Sequence, residues 1–153
     1  MKFGLTLDGK KYKAQYTGKT CRLYREQFVR DFLVDVQEGQ EKFLIKTLER
    51  LGEQVKKESD DSTEITEDNL NGLVLYQVYI DTLGTELLEH VMWACLYSAD
   101  PKIGLYETWI DSIENYPEML MEAINCFQIV IGNHSIVGAE NNNDGRSTNS
   151  KKK

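Results

Sequence analysis

The two histidines, His90 and His134, are the residues of this sequence best suited to acid–base chemistry, because imidazole titrates near neutral pH. His90 falls within a predicted helix, away from the main apolar stripe of that helix, and His134 follows the last predicted helix. No serine or cysteine beside either histidine forms a recognisable nucleophile motif. The sequence therefore predicts structural or surface roles for both histidines, and a protein that is not an enzyme.

Residues that could bind a metal or a phosphate form no known pattern. The cysteines are Cys21, Cys95 and Cys126. Their number is odd, and their spacing fits neither a disulfide framework nor a zinc site. The acidic cluster at 60–68 lacks the order of side chains and the glycine of a calcium loop. No Gly-rich phosphate-binding motif is present. We expect no cofactor and no metal, and we interpret the acidic cluster as a solvated loop.

The totals limit the class of protein. The chain has 153 residues, of which 41% are hydrophobic and 28% charged, enough for one soluble domain with a hydrophobic core. No apolar run reaches the ~18–20 residues that a membrane helix needs. The N-terminus has no apolar segment of the kind that signal peptides carry. These features predict a cytoplasmic protein with no membrane partner.

Charge is distributed unevenly along the chain. The net charge is +6 over residues 1–30, −15 over 31–139 and +2 over 140–153. Such an acidic field disfavours nucleic acid as a partner and favours basic protein surfaces. The basic N-terminal segment is interleaved with tyrosines, a pattern that also suits single-stranded nucleic acid. Those tyrosines are needed for the predicted core, so we predict no nucleic-acid partner.

The first 17 residues predict a β-hairpin. Apolar and polar residues alternate on both sides of Asp8-Gly9, a favoured pair for a two-residue type I′ turn. A turn centred there sets Leu7 opposite Lys10, Leu5 opposite Tyr12 and Phe3 opposite Ala14. All apolar residues then share one face, which we expect to pack on the helices that follow.

The rest of the chain predicts helices, because apolar residues recur every three to four positions. The predicted helices are 21–36 with Thr20 as N-cap and Gly39 as the end, 40–57, 67–82, 85–99 closed by Pro101, one or two turns in 107–113, and 117–131 closed by Gly132. A strand over 73–80 is an alternative. In the second of these helices, Phe43, Leu44, Leu48, Leu51 and Val55 form the apolar stripe.

The fold prediction is therefore an α+β protein dominated by helices, with an N-terminal hairpin followed by about five to six helices in one small bundle. The globular domain spans 1–137, with the hairpin at 1–17 and the helices at 20–135. Residues 138–153 have no apolar residue except Ala139 and are predicted to be a disordered polar tail. Trp93 is assigned to the core, and Trp109 to an anchor or an interface.

Three segments resemble the tail assembly chaperones of long-tailed, siphovirus-type phages and prophages of Gram-positive bacteria. The opening "MKFGLTLDGKKYKAQYTGKTCRLYREQF" is similar to the hairpin and the aromatic, Arg-rich first helix of that family. The middle "LLEHVMWACLYSADPKIGLYETWIDSI" resembles its apolar helix, stop and second tryptophan helix. The closing "AINCFQIVIGNH" resembles its last helix. The resemblance covers residues 1–135.

The resemblance implies a non-enzymatic chaperone that binds the tape measure protein in the host cytoplasm and is absent from the mature virion. The major tail tube protein and further copies of the chain are additional candidate partners. A longer product made by ribosomal frameshifting is also typical of the family, and the terminal "KKK" is compatible with a slippery run of lysine codons.

A helix-in-groove contact with the tape measure protein would suit an acidic helical domain. Trp109, Tyr106 and Leu105 are the candidate partner-binding residues, and the acidic span 58–122 would steer basic stretches of the partner. Two alternatives use the same features. One is an acidic inhibitor that mimics DNA, and the other is a structural component of the tail.

Overall fold

The computed structural model describes residues 1–58 and 73–137. Over these residues the elements are β1 (Lys2–Leu7), β2 (Lys10–Gln15), α1 (Gly18–Phe28), α2 (Phe32–Glu58), α3 (Leu73–Ala99), a 3₁₀ turn (Pro101–Ile103), α4 (Tyr106–Asp111) and α5 (Tyr116–Val137). The predicted α+β fold, a hairpin followed by about five to six helices, is confirmed, with five α-helices in the described ranges. None of the helices described here combines the length and apolar character needed to cross a membrane.

The hairpin has the predicted register. Phe3 pairs with Ala14, Leu5 with Tyr12 and Leu7 with Lys10. Asp8 and Gly9 have φ angles of 48° and 70°, the positive values that a type I′ turn requires. The inner face is buried against the helices, as expected, with Leu5, Leu7 and Ala14 each at most 2% exposed. The hairpin turn is also anchored to the segment before α5, because the Asp8 carboxylate accepts a hydrogen bond from the Asn115 backbone N–H at 3.0 Å.

The first helix begins earlier than predicted. Its N-cap is Thr17, whose backbone N–H donates to Thr20 Oγ1 at 3.0 Å, so Thr20 is the third helical residue and not the cap. Thr20 Oγ1 also lies 3.0 Å from the Gln15 carbonyl oxygen and 3.1 Å from Ser98 Oγ. This buried threonine therefore joins the end of the hairpin to α3.

The predicted helix over 21–36 is wrong, because the chain breaks at Val29. This residue adopts a left-handed conformation with φ 55° and ψ 32°, and it ends α1. Asp31 then accepts the backbone N–H groups of Leu33 and Val34 at 3.0 and 3.3 Å, which caps the start of α2. The apolar period continues across the break, so periodicity alone reads the two helices as one.

Gly39 lies inside α2 and does not end it, so the predicted boundary there is wrong. A Cβ atom at this position would stand 2.9 Å from Leu87 Cδ2, 3.0 Å from Leu83 Cδ2 and 3.3 Å from Phe127 Cζ. The glycine therefore serves close packing of α2 on α3 and α5, and the predicted helix over 40–57 is the second half of α2.

The third helix confirms most of its predictions. Residues 73–82 are helical, which excludes the alternative strand, and Gly84 interrupts the helix with φ 74° and ψ 158°. The five residues predicted to face inward are all fully buried: Leu88, Val91, Met92, Cys95 and Leu96. The helix ends at Ala99, two residues before Pro101, as predicted.

The last two helices also follow the prediction, with one correction. α4 corresponds to the predicted short helix, and α5 has Pro117 in its first turn. Asn115 Oδ1 accepts the Glu118 backbone N–H at 3.3 Å and so caps α5. Gly132 does not end this helix, which continues to Val137, so His134 lies within it and not after it. The predicted loop at 60–68, the helical residues 67–72 and the tail at 138–153 lie outside the described ranges.

Candidate protein-binding surface

Helix α2 has an inner apolar face that attaches it to the body of the protein. Phe32 and Val36 are buried, with exposed fractions of 1% and 3%, and Gly39 packs beneath Leu83 and Leu87. Phe43 continues this face and stacks on Tyr79 of α3, with ring centroids 4.1 Å apart. These residues are spaced by three or four, so they form one stripe along the helix.

A second apolar face of α2 points away from the body. We define the outer face by its exposed aliphatic residues: Leu33, Val34, Leu44, Ile45 and Leu48. Each exposes 48–59% of its surface. At 3.6 residues per turn these side chains fall within an arc of roughly 120°. A shallow cleft of about 440 Å³, lined by Leu33, Val36, Gln37, Gln40 and Glu41, runs beside it.

The exposed aliphatic side chains of the outer face form two clusters. One lies at 33–34 and the other at 44–48, and the ten positions from Val34 to Leu44 correspond to about 15 Å of helix. Exposed apolar side chains grouped in this way often mark contacts with other proteins. The predicted stripe of this part of α2 is therefore divided. Phe43 packs inward, Leu44 and Leu48 point outward, and the side chains of Leu51 and Val55 lie outside the described set.

Acidic residues border the outer face. Glu41 lies within its arc, and Glu38 and Glu49 lie along one margin, all three exposed. Lys42 and Lys46 are further round the helix, and the Lys46 ammonium pairs with Glu49 at 3.2 Å. The face is therefore apolar at its two ends, polar between them where Glu41 lies, and negative along the margin that carries Glu38.

Buried polar contacts hold the first turns of α2 in place. The Asp35 carboxylate is only 6% exposed. It accepts a hydrogen bond from the Tyr24 hydroxyl at 2.7 Å and pairs with Arg30 Nε at 2.8 Å. Burial, and then the bond to this carboxylate, raises the pKa of the Tyr24 hydroxyl. The first turns of α2, which carry Leu33 and Val34, are therefore fixed to α1.

The second half of α2 is attached on one side only. Phe43 and Arg50 contact α3, where the Arg50 guanidinium lies 3.3 Å from Asp81 Oδ2. The Tyr79 hydroxyl in turn accepts a hydrogen bond from Gln128 of α5 at 3.1 Å. These contacts leave the opposite side of α2, with Leu44 and Leu48, facing solvent.

The three residues predicted to bind a partner lie in three different environments. Trp109 is 3% exposed and lines a cleft of about 630 Å³ between the hairpin turn and α4. Tyr106 packs edge-on against Phe28 in an aromatic cluster. Leu105 is 56% exposed. Of the three, Leu105 alone offers most of its side chain to a partner, and the contact itself stays a prediction.

An aromatic cluster surrounds His90, a residue for which the sequence predicts a structural or surface role. His90 lies away from the main apolar stripe of its helix, and it is nevertheless only 7% exposed because its ring stacks on Phe28 with centroids 3.6 Å apart. Burial lowers the pKa of this imidazole. Next to it, the Glu89 carboxylate accepts hydrogen bonds from the hydroxyls of Tyr106, at 2.6 Å, and Tyr116. Burial raises the pKa of both hydroxyls, and so does the carboxylate.

Cysteines come closer together than their spacing in the sequence suggested. Cys95 on α3 and Cys126 on α5 are both fully buried, and both thiols are free. The neighbouring Cys126 thiol, together with burial, raises the pKa of the Cys95 thiol. Within 1–58 and 73–137 no group of three or more His, Cys, Asp or Glu side chains could hold a metal ion.

The tyrosines of the basic N-terminal segment pack in or against the hydrophobic core. Tyr24 is fully buried, and Tyr16 stacks on Phe32 with centroids 5.4 Å apart. The arginines that follow are engaged in ion pairs: Arg22 with Glu26, Arg25 with Asp31 and Arg30 with Asp35. The buried ring of Tyr24 therefore offers no face on which a base could stack.

Comparisons with known proteins give no relative for this chain. No protein-family model, curated protein or solved structure matches it. The outer face is the candidate binding surface that the structure adds, and it was not predicted from the sequence. The available signal was a helix with two apolar stripes, because Leu44 and Leu48 are offset from Phe32, Val36 and Phe43.

Proposed function

We propose that this protein is a tail assembly chaperone of a long-tailed phage or prophage, which binds the tape measure protein without catalysing a reaction. The observation that carries the proposal is the outer face of α2, an exposed apolar surface with acidic margins on a well-packed domain. The order of the elements gives further support. A hairpin, an Arg-rich first helix and two tryptophan helices occur in the order that the resemblance implies.

The outer face offers a physical means of keeping a long helical partner soluble. A tape measure protein exposes apolar stripes that aggregate until they are covered, and an apolar surface on another protein covers them temporarily. A small contact area favours a short-lived complex, so the chaperone can leave as the tail tube forms. On this proposal it acts in the host cytoplasm and is absent from the finished virion, and the major tail tube protein displaces it.

Self-association along the tape measure protein would follow from the uneven charge of the chain, which is basic over residues 1–30 and acidic over 31–139. Lys2, Lys11 and Lys13 are exposed on the hairpin, and among the described residues none of them forms an ion pair. They can contact the acidic surface of a neighbouring copy. The oligomer distribution should then shift to smaller species at high salt, as measured by sedimentation velocity; an unchanged distribution would exclude contacts of this kind.

Co-expression tests the proposed function. Residues 1–153 are produced together with the tape measure protein encoded nearby, and solubility and affinity capture are measured. We expect the tape measure protein to stay soluble and to be captured with this chain. Aggregation of the tape measure protein as when it is expressed alone, with nothing captured, would contradict the proposal. Detection of the chain in purified virions would indicate a structural tail component.

A further inference from the structure

We infer that the outer face of α2 binds a single helix of about four turns, apolar along one side and basic along its margin. The inference rests on the proposed function and names the chemistry of the partner segment. It is carried by the size of the face, by the charges around it, and by the lack of a suitable occupant elsewhere in the chain.

The length of the partner segment follows from the length of the face. Leu33 and Leu48 are separated by fifteen residues, which correspond to about 22 Å along a helix. A partner helix of about four turns covers this distance. Since the exposed aliphatic side chains lie on one side of α2, the partner needs apolar residues spaced by three and four to face them.

The charge of the partner segment follows from the border of the face. Glu41 lies within it and Glu38 lies beside it, and neither forms an ion pair among the described residues, whereas the charge of Glu49 is compensated by Lys46. The surrounding chain is strongly acidic, with −15 over residues 31–139. Lysine or arginine along the margin of the partner helix gains attraction and faster association, whereas acidic residues there are repelled.

Other occupants of the face are less suitable. In a symmetric contact between two copies, both surfaces would carry the same acidic residues, Glu38 and Glu41, which complement each other less well than they complement a basic helix. Segment 59–72 of the chain itself has five acidic residues and no basic one. Segment 140–153 contains no apolar residue that could cover the face. A basic amphipathic helix from another protein fits both the apolar and the charged features.

Synthetic helices provide a direct probe. Four fluorescent peptides of about sixteen residues are compared by anisotropy with the full chain. They are a Leu/Lys amphipathic helix, the same composition scrambled, and a Leu/Glu amphipathic helix with its scrambled form. We expect the Leu/Lys helix to bind at least tenfold more tightly than either its scrambled form or the Leu/Glu helix. Equal binding of both Lys peptides would overturn the inference, because charge alone would then explain the binding.

Variants locate the binding on α2. Leu44→Gln with Leu48→Gln should weaken binding of the Leu/Lys helix at least tenfold. Met121→Gln on α5 is the matched control, because Met121 is 62% exposed and therefore as accessible as the two leucines. Leu105→Gln tests the residue predicted from the sequence. If Met121→Gln or Leu105→Gln weakens binding as much as the α2 pair, the outer face is not the site.

Reversing the acidic charges of the outer face tests whether they select a basic partner helix. Glu38→Lys with Glu41→Lys should reverse the preference, so that the Leu/Glu helix binds better than the Leu/Lys helix. Asp111→Lys, at an exposed position of α4, changes the net charge in the same direction and should leave the preference unchanged. An identical effect of Asp111→Lys would contradict recognition at the margin.

The two proposals fail in different ways. If the tape measure protein is captured equally by the wild type and by the Leu44→Gln, Leu48→Gln variant, the inference about the outer face is wrong and the chaperone function stands. If the Leu/Lys helix binds at the outer face and the tape measure protein is not captured, the face is correct and its natural partner is another protein.

Discussion

The second half of α3 and the helix α2 are both rich in apolar residues, but the side chains of α3 are buried whereas several of those of α2 face solvent. From Val91 to Leu96 of α3, no residue exposes more than 1% of its surface. On α2, Leu44 and Leu48 expose 58% and 59%. The difference lies in the neighbours, since α3 contacts β2, α1, α4 and α5, and α2 contacts chiefly α3. Apolar content alone therefore does not decide which helix surface becomes core and which remains available to a partner.

Truncation of one leucine on each helix should sharpen this contrast most. Leu96→Ala leaves a cavity in a tightly packed core and should lower the free energy of unfolding by about 3 kcal/mol. Leu44→Ala removes a side chain that faces solvent and should change it by less than about 0.5 kcal/mol. Urea denaturation followed by circular dichroism measures both. Equal losses would mean that the outer face is covered in the folded protein.

Removal of the Asp35 carboxylate tests whether α2 is rigidly attached. Asp35→Ala leaves the buried Tyr24 hydroxyl without its acceptor and should cost about 2 kcal/mol of unfolding free energy. The control is Glu26→Ala, which breaks an exposed ion pair with Arg22 and should cost less than about 0.5 kcal/mol. Similar costs for the two variants in the same denaturation experiment would show that this buried contact does not anchor the helix.

Backbone conformation offers a pair of smaller effects with opposite signs. Gly84 separates the two halves of α3 with φ 74° and ψ 158°, so Gly84→Ala should destabilise by about 1–2 kcal/mol. Val29 ends α1 with φ 55°, and Val29→Gly should stabilise by up to about 1 kcal/mol because glycine adopts this region without strain. Thermal unfolding measures both, and shifts of the same sign would contradict the account.

The smallest effect is a loss of stability in mild acid. Burial among Phe28 and its neighbours lowers the pKa of folded His90 below its usual value of 6.5, while the unfolded histidine keeps that value. The unfolded state then binds more protons, so stability falls as the pH drops below 6.5 and is unaffected by this group above it. Arg30 lowers this pKa further, and Glu86, Glu89 and Asp35 oppose the shift.

Replacement of the imidazole checks its contribution to the pH dependence. His90→Gln should flatten the pH dependence of unfolding between pH 5 and 6.5, relative to the wild type, when the two curves are compared after alignment at pH 7.5. A variant with the same slope as the wild type would show that other groups cause the loss. His134→Gln is a suitable control for the second histidine of the chain.

Sequence patterns predicted the parts of the fold that depend on local chemistry. Asp8-Gly9 defined the hairpin register because few turns accept two positive φ angles. The break at Val29 was missed, because a β-branched residue rarely adopts that conformation and the apolar period runs across it. Gly39 was misread as a helix end. A glycine is needed there because α2 packs closely on Leu83 and Leu87, which are distant in the sequence.

The residues of the outer face were not among the partner-binding candidates chosen from the sequence, and the choice of those candidates stays a prediction. Trp109 and Tyr106 were chosen by residue type, and the structure places Trp109 in the core and Tyr106 in an aromatic cluster. The outer face consists of ordinary leucine, isoleucine and valine residues. The sequence shows two apolar stripes on this helix, but which of them stays exposed depends on how many elements pack against α2, and no local pattern contains that information. The proximity of the Cys95 and Cys126 thiols was also missed, because the two residues lie on different helices and only the packing of α3 on α5 brings them together.

Photo-crosslinking from the outer face is the measurement that tests the central claim most directly. A photoreactive amino acid is placed at Ile45 or, as the matched control, at Met121, in cells that also produce the tape measure protein. The account predicts a crosslinked product with the tape measure protein from position 45 and none from position 121. Crosslinking from position 121 and none from position 45 would contradict the assignment of the outer face as the binding surface.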